Sequence, residues 1–496
     1  MVRVAPPKAG AMIEALRGLG YSTATALADI IDNSISAEAS EIDLFFDWLG
    51  VASTINIIDN GSGMDLLELE SAMRLGEKNP LDNRSNEDLG RFGLGLKTAS
   101  FSQCRRLTVT AKKSNQCHSL HWDLDVIAND PEDRWLLLDG YASTISSHVE
   151  NFNRSHDRGT LVSWEILDRI VTSTFSEQDF LDLIDRVEEH LAMVFHRYLD
   201  GTYRQLILRI NGKKVKPWDP FMEGNLSKPW VSHPVRHPSD SNVSLQCHVL
   251  PHKDKLTEEE YIRYQGPDGW TAQQGFYVYR GGRLLLAGSW LGLGRGRMWT
   301  KDEAHRLARI RLDIPTNDDS EWKIDIKKAT AKPPVHMRKW LVQMAEITRN
   351  RARRVFAHRG QVQKKRGADE ISTVWKAKKS ETGVKYSIDR SNPAIKTIID
   401  SVGESSPGLL AMLRLIEETV PVQRIWLDTE EQRETPRNRF YDDPPENLRS
   451  VLYALFNAMT RQQGLGTDVA IDQLKRTDPF QDYPELIEEL RPRVED

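Results

Sequence analysis

Cysteine is scarce in this chain: only Cys104, Cys117 and Cys247 occur among 496 residues. Their number is odd and no two stand in C-x-x-C spacing, which argues against a disulfide framework or a cysteine zinc site and fits a reducing compartment. Long apolar runs are missing too. No stretch reaches the ~18 apolar residues that suggest a membrane-spanning helix. The opening MVRVAPPKAG lacks the apolar segment of a secretory leader. A cytoplasmic protein with no membrane partner is the expectation. Excess positive charge is also lacking. The formal net charge is −5, so any nucleic-acid contact must come from a local patch. No internal repeat is visible. The remainder is ordinary soluble composition, and the length suggests roughly three domains, each able to bury a core.

Periodicity divides the chain. Thr23 to Ser34 reads as a helix, with Leu27, Ile30 and Ile31 as an apolar stripe and Ser22 as N-cap. EIDLFFDW (41–48) alternates as a strand and TINIID (54–59) is a second one running into a glycine turn. RLTVTA, HSLHWDLD and GTLVSWEI read as three more. The expected fold class is α+β: a two-layer sandwich with a mixed, mostly antiparallel sheet and helices on one face. Glu177 to Leu199 reads as one long helix, and its His190 and His196 are taken as core or surface histidines rather than metal ligands. A second unit is expected from about residue 201 to 348, with RQLILRING, GFYVYRGGRLL, ARIRLDIP and WKIDIKKA as strands and a helix from His336 to Arg354. Residues 349–385 are basic and are read as a linker or exposed arm. Residues 386–496 are read as a helical C-terminal region with Pro-rich interruptions and no motif.

Three short motifs carry chemistry. In ALADIIDNSISA, Asp29 and Asn33 stand at i and i+4, on one helix face. A carboxylate there can orient a water, and an amide oxygen can ligate Mg²⁺, a hard cation that prefers oxygen. Next, Asp59-Asn60-Gly61-Ser62-Gly63-Met64 follows a strand. Asp59 can accept from the exocyclic amine of adenine, Gly61 and Gly63 let backbone approach closely, and Met64 can pack on a ring. An Asx turn closing a hairpin is the competing reading of the same residues. Third, Gly90-Arg91-Phe92-Gly93-Leu94-Gly95-Leu96-Lys97-Thr98 is a glycine-rich loop before a helix-like segment. Its N–H groups and the helix N-terminus can cradle phosphates. It is neither a Walker A loop nor a dinucleotide fingerprint, because the glycine order differs.

In this order and spacing the three motifs resemble the N, G1 and G2 boxes of the GHKL superfamily, the ATPase class of gyrase B, heat-shock protein 90, histidine kinases and MutL. Gly159-Thr160 opens a later strand, as the GT element of that fold does. The resemblance implies a GHKL sandwich over residues 1–200, binding ATP and Mg²⁺, with Asp29 as general base, Asn33 as metal ligand, Asp59 selecting adenine, the glycine loop and Thr160 at the nucleotide, and Lys97 adding positive charge. ALADIIDNSISA and GRFGLGLKTAS are similar to the MORC and MutL branch, which implies an S5-like transducer in the second unit. A transducer lysine of that branch reaches the γ-phosphate; Lys327 and Lys328 are both candidates here. Residues 76–88 stand where the lid over ATP is expected. In such proteins ATP closes the lid and favours a homodimer, which implies a clamp on DNA without sequence specificity. The basic arm, with Arg349, Arg351, Arg353, Arg354, Arg359, Lys364, Lys365 and Arg366, is either a phosphate-contacting surface or a solvated linker.

One departure stands out. The general base of the family is usually glutamate, and Asp29 is shorter by one methylene, about 1.5 Å. A displacement of about 1 Å can cost roughly 10²-fold in rate, so slow hydrolysis is expected. Similarity to standalone ATPases of bacterial restriction and phage-defence operons implies nuclease or helicase partners. The rivals are a MutL-like mismatch-repair ATPase, an Hsp90-like chaperone, a non-hydrolysing ATP-switch scaffold, and a histidine kinase, for which residues 1–20 leave no room for a phospho-accepting helix.

Overall fold

The computed structural model describes residues 7–18, 20–76, 95–315, 321–324, 331–357, 372–380, 383–403, 406–422, 425, 446–477, 480 and 483–491. The chain forms two compact units, Met1–Gly360 and Gln361–Asp496. The first unit holds two sheets.

The first sheet is mixed, with spatial order β5-β4-β3-β6-β2-β1-β7-β8. Its strands are β1 (Glu41–Asp47), β2 (Thr54–Asp59), β3 (Arg106–Lys113), β4 (Gln116–Asp123), β5 (Leu138–Asp139), β6 (Gly159–Glu165), β7 (Ile207–Ile210) and β8 (Lys213–Lys214). Only the β1–β7 pairing is parallel. β1 buries Ile42, Leu44 and Phe46 while the residues between them are half-exposed, the alternation its sequence shows. β2 and β6 are buried throughout because both lie at the centre of the sheet.

One face carries the helices α1 (Ala9–Arg17), α2 (Thr23–Ser36), α3 (Leu66–Met73), α4 (Gly95–Phe101), α5 (Leu124–Ala128), α7 (Glu177–Val194) and α8 (His196–Leu199), which share one apolar core with the sheet. α2 starts at Ser22, whose hydroxyl accepts from the Thr25 N–H in a reciprocal capping box. Leu27, Ile30 and Ile31 are buried as the periodicity requires. The opposite face carries a smaller cluster under α6 (Ser146–Ser155), where Ile145, Val149 and Phe152 cover Ile58 and Leu161.

The second sheet has the order β10-β11-β14-β12-β13, with β9 also paired to β11. Its strands are β9 (Trp230–Val231), β10 (Val235–His237), β11 (Asp240–Val249), β12 (Gly275–Arg280), β13 (Arg283–Ser289) and β14 (Ala308–Ile314). Short helices α9 (Glu258–Tyr264) and α10 (Gly269–Ala272) precede β12, and α11 (Val335–Ala357) packs on β11 and β14.

Several sequence expectations are corrected here. RQLILRING does not open the second unit: β7 extends the first sheet, parallel to β1. The strand ending HSLHWDLD stops at Asp123, because its carboxylate caps α5. The long helix to Leu199 breaks at Phe195, where α7 ends and α8 restarts. Of WKIDIKKA, residues 322–324 lie in a turn rather than a strand, and 325–329 fall outside the described residues. The basic arm is not one linker. Its first nine residues finish α11, and its end is a hairpin, Trp375–Ser380 with Gly383–Ile388. Arg349 is buried between Trp290 and Trp299 and pairs with Asp302, so it belongs to the core rather than to a phosphate-contacting surface.

The second unit joins that hairpin to helices Pro393–Val402, Ser406–Thr419, Glu446–Asn457, Thr467–Lys475 and Pro484–Glu488. Leu448, Leu452, Leu455, Ile471, Leu474 and Ile487 make its core. No helix among the described residues is long and apolar enough to cross a membrane.

Candidate functional site

Helix α2 gathers the site. Its inner face carries Asp29 and Asp32, both buried, and then Ser34. Asn33, one turn beyond Asp29, is exposed, and its side chain makes no hydrogen bond among the described residues. A buried carboxylate and an open amide therefore sit side by side on one helix.

Asp59 ends β2 directly against α2. Ser34 Oγ donates to Asp59 Oδ2 at 2.8 Å, and the Gly61 N–H donates to Oδ1 at 2.9 Å. The backbone N–H of Thr160, on the neighbouring strand, also favours the ionised form. Burial pushes the Asp59 carboxyl above the ordinary carboxylate range despite these donors. An ionised carboxylate has about four acceptor positions; Ser34 and Gly61 take two, which leaves room for an amine such as that of adenine.

The turn after Asp59 is built tightly. Asn60 Oδ1 accepts from the Ser40 and Glu41 N–H groups and fixes the turn to the start of β1. Gly63 has φ +68°, and a Cβ there would lie 1.9 Å from the Lys112 carbonyl oxygen. No other residue fits, so the glycine is required by backbone packing in the protein itself. Met64 is half-buried against the first core.

The glycine-rich segment is described from Gly95 onward. A Cβ built on Gly95 lies 3.9 Å from Asp29 Oδ2, so the N-terminus of α4 abuts the carboxylate of α2. Gly90, Arg91, Phe92, Gly93 and Leu94, the lid beyond Gly76, and both Lys327 and Lys328 lie outside the described residues. Lys97 is buried and donates to the Ala72 carbonyl at 2.8 Å. That bond ties it to α3.

Three residues that sequence reasoning did not single out complete the site. Ser34 follows Asn33 directly and its role shows only once β2 is in place. Tyr21 precedes the capping box, and its hydroxyl donates to Asp29 Oδ2 at 2.9 Å. Arg283 comes from β13 of the second sheet: Nε donates to Asp32 at 2.9 Å, and its guanidinium stands 3.8 Å from Asp29 Oδ1. No local signal could have found Arg283, because 251 residues separate it from Asp32.

The residues present fit an adenine nucleotide with a hard cation: Asp59 keeps an acceptor position, and Asn33 offers an unengaged amide oxygen beside Asp29. His190 and His196 have core roles. His196 shares a 2.7 Å hydrogen bond with the Tyr279 hydroxyl, and burial, with the nearby Arg283 charge, pushes His190 down to about 4.

Residues 21–157 match the family described as histidine kinase-, DNA gyrase B-, and HSP90-like ATPase. Over 108 residues the chain is 32% identical to the DNA mismatch repair protein MutL of Rhodopseudomonas palustris. That stretch is 22% of this chain and spans 18% of the relative.

Proposed function

On the premise that residues 21–157 form a domain of the GHKL ATPase class, we propose that the protein binds ATP with Mg²⁺, hydrolyses it slowly and acts as an ATP-gated dimeric clamp on DNA. The observation that carries the nucleotide part is the meeting of two separated segments, the end of β2 and the start of α4, with α2. Ser34 binds Asp59, and the N-terminus of α4 abuts Asp29.

Asp59 takes the adenine amine in its remaining acceptor position. Asn33 offers its amide oxygen to the magnesium ion, which neutralises phosphate charge when bound. Tyr21 orients the Asp29 carboxylate from behind, through Oδ2. Asp29 orients the attacking water and accepts its proton. Gly90, Gly93 and Gly95 line the phosphates, and Lys327 or Lys328 contributes the transducer cation. Slow turnover follows from the short reach of aspartate.

The DNA part draws support from the likeness to a mismatch repair protein, and the dimer from the habit of the class. That same likeness favours a second reading, a mismatch-repair ATPase. A restriction or phage-defence setting, with a nuclease or helicase partner, rests on analogy with standalone ATPases; the neighbouring genes separate the two. The decisive measurement is ATP turnover with and without DNA in wild type, Asp29→Asn and Asp29→Glu. Asp29→Asn should keep ATP binding and lose turnover by about 10²-fold or more, and Asp29→Glu should raise turnover. Unchanged turnover in Asp29→Asn removes Asp29 as the base.

A further inference from the structure

The loop that follows β13 has no part in the nucleotide site, yet it is built rigidly. Its base is locked into the second core. Trp290, Leu291 and Leu293 are buried. Trp290 and Trp299 meet edge to face at 5.7 Å, and the Trp299 N–H donates to the Leu293 carbonyl at 2.8 Å. A Cβ on Gly294 would lie 1.9 Å from the Arg297 carbonyl oxygen, so the turn is too tight for any residue but glycine there. It holds Arg295, Arg297 and Met298 outward. All three are exposed, Met298 to 70%.

Arg295 fixes where the loop stands. Its guanidinium pairs with Glu346 of α11 at 2.9 Å. Helical spacing puts Lys339 and Arg353 on the same face as Glu346, two turns to either side, with Gln343 and Asn350 between them. All four are exposed, whereas Leu341, Ala345, Thr348 and Ala352 on the other face are buried. Lys339 and Arg353 stand about 21 Å apart along the helix axis. Glu346 is the sole acidic residue of α11, and Arg295 already neutralises it.

We infer that this stripe of α11, with the loop Arg295–Met298 beside it, is the surface that contacts the phosphate backbone of duplex DNA. The inference rests on the proposed DNA reading and names where on the chain that contact is made. Guanidinium forks match phosphate oxygens. The amides of Gln343 and Asn350 donate to the same oxygens. A rigid loop that carries an arginine and a methionine suits a groove, where the methionine meets sugar and base edges. An anionic membrane would call for a continuous apolar face, but along this stripe cations alternate with amides.

The experiment is fluorescence anisotropy of a labelled mixed-sequence duplex with the full chain, with and without ATP, over about 50–200 mM salt. Each lost phosphate contact should make the slope of log affinity against log salt shallower by about 0.9. Arg297→Ala, Lys339→Ala and Arg353→Ala together should therefore remove about 2.7 of the slope. Met298→Ala should weaken binding and leave the slope unchanged. ATP binding should stay at the wild-type level in all of these, since none lies at the nucleotide site. Lys213→Ala, Lys214→Ala and Lys216→Ala together, on the first sheet, remove the same charge and should keep the wild-type slope. An equal loss of slope in that control, or a wild-type slope kept by the α11 and loop variant, overturns this surface and leaves the DNA reading standing. So does a variant that loses binding to phosphatidylserine vesicles while it keeps DNA. A wild-type protein that binds no duplex at any of these salts overturns both.

Discussion

Replacing Asp59 by asparagine separates nucleotide binding from folding. Asp59 accepts from Gly61 and Ser34. Asparagine keeps one oxygen, which must stay on the Gly61 side because that N–H cannot reverse. Its NH₂ then faces Ser34, whose hydroxyl can rotate to accept. The fold keeps its hydrogen bonds with one exchange of direction, and the cost of holding a buried charge disappears. A stability loss of no more than about 1–2 kcal/mol is expected. The acceptor for the adenine amine is lost, a hydrogen bond to a charged group worth about 1.5–3 kcal/mol, or roughly 10- to 150-fold in Kd. The two effects have opposite pH slopes. Because the folded carboxyl lies above its ordinary value of 3.8, its contribution to stability is present below that pH and lost as pH rises through the folded value. The stability gap between wild type and variant therefore narrows as pH rises. ATP affinity of the wild type rises over the same window, since the ionised carboxylate accepts from the amine more strongly than the protonated acid does. Calorimetric titration with ATP, beside urea unfolding, reads both quantities. An Asp59→Asn protein that binds ATP within about threefold of wild type refutes the assignment of Asp59 as the adenine acceptor.

Two further outcomes are expected. Gly63→Ala should cost about 2–5 kcal/mol, from the left-handed backbone and the collision with the Lys112 carbonyl; a thermal-unfolding loss under ~1 kcal/mol contradicts the packing at that turn. His190, held at about 4 against an ordinary 6.5, should destabilise the fold as pH drops from 6.5 toward 4, because the unfolded chain takes up the proton first. His190→Gln should flatten that decline in urea midpoints, and an unaltered decline speaks against burial of the neutral ring.

Much of the first sheet was legible in advance because its signals are local. β1 alternates, β2 is uniformly apolar, and Ser22 and Thr25 form a cap with their own near neighbours. The break at Phe195 was not legible, since the apolar spacing runs on without interruption and the chain turns there to let His196, Arg197 and Tyr198 reach the second sheet. β7 was misplaced for a related reason: a short strand carries no mark of which sheet it joins. Arg349 looked like part of a solvated basic run, and only the flanking Trp290 and Trp299 show it to be a core cation.

Spacing along one helix is enough to put Asp29 beside Asn33, and strand endings are enough to put Asp59 before a glycine turn. Those relations lie within a few residues, where chain geometry leaves little choice. Which partners these groups receive was decided by tertiary structure alone. Ser34 meets Asp59 only because β2 lies under α2, and Asp32 meets Arg283 only because a hairpin from a second sheet is clamped against the first. Local sequence can specify the first kind of neighbour, but the second depends on how distant elements pack.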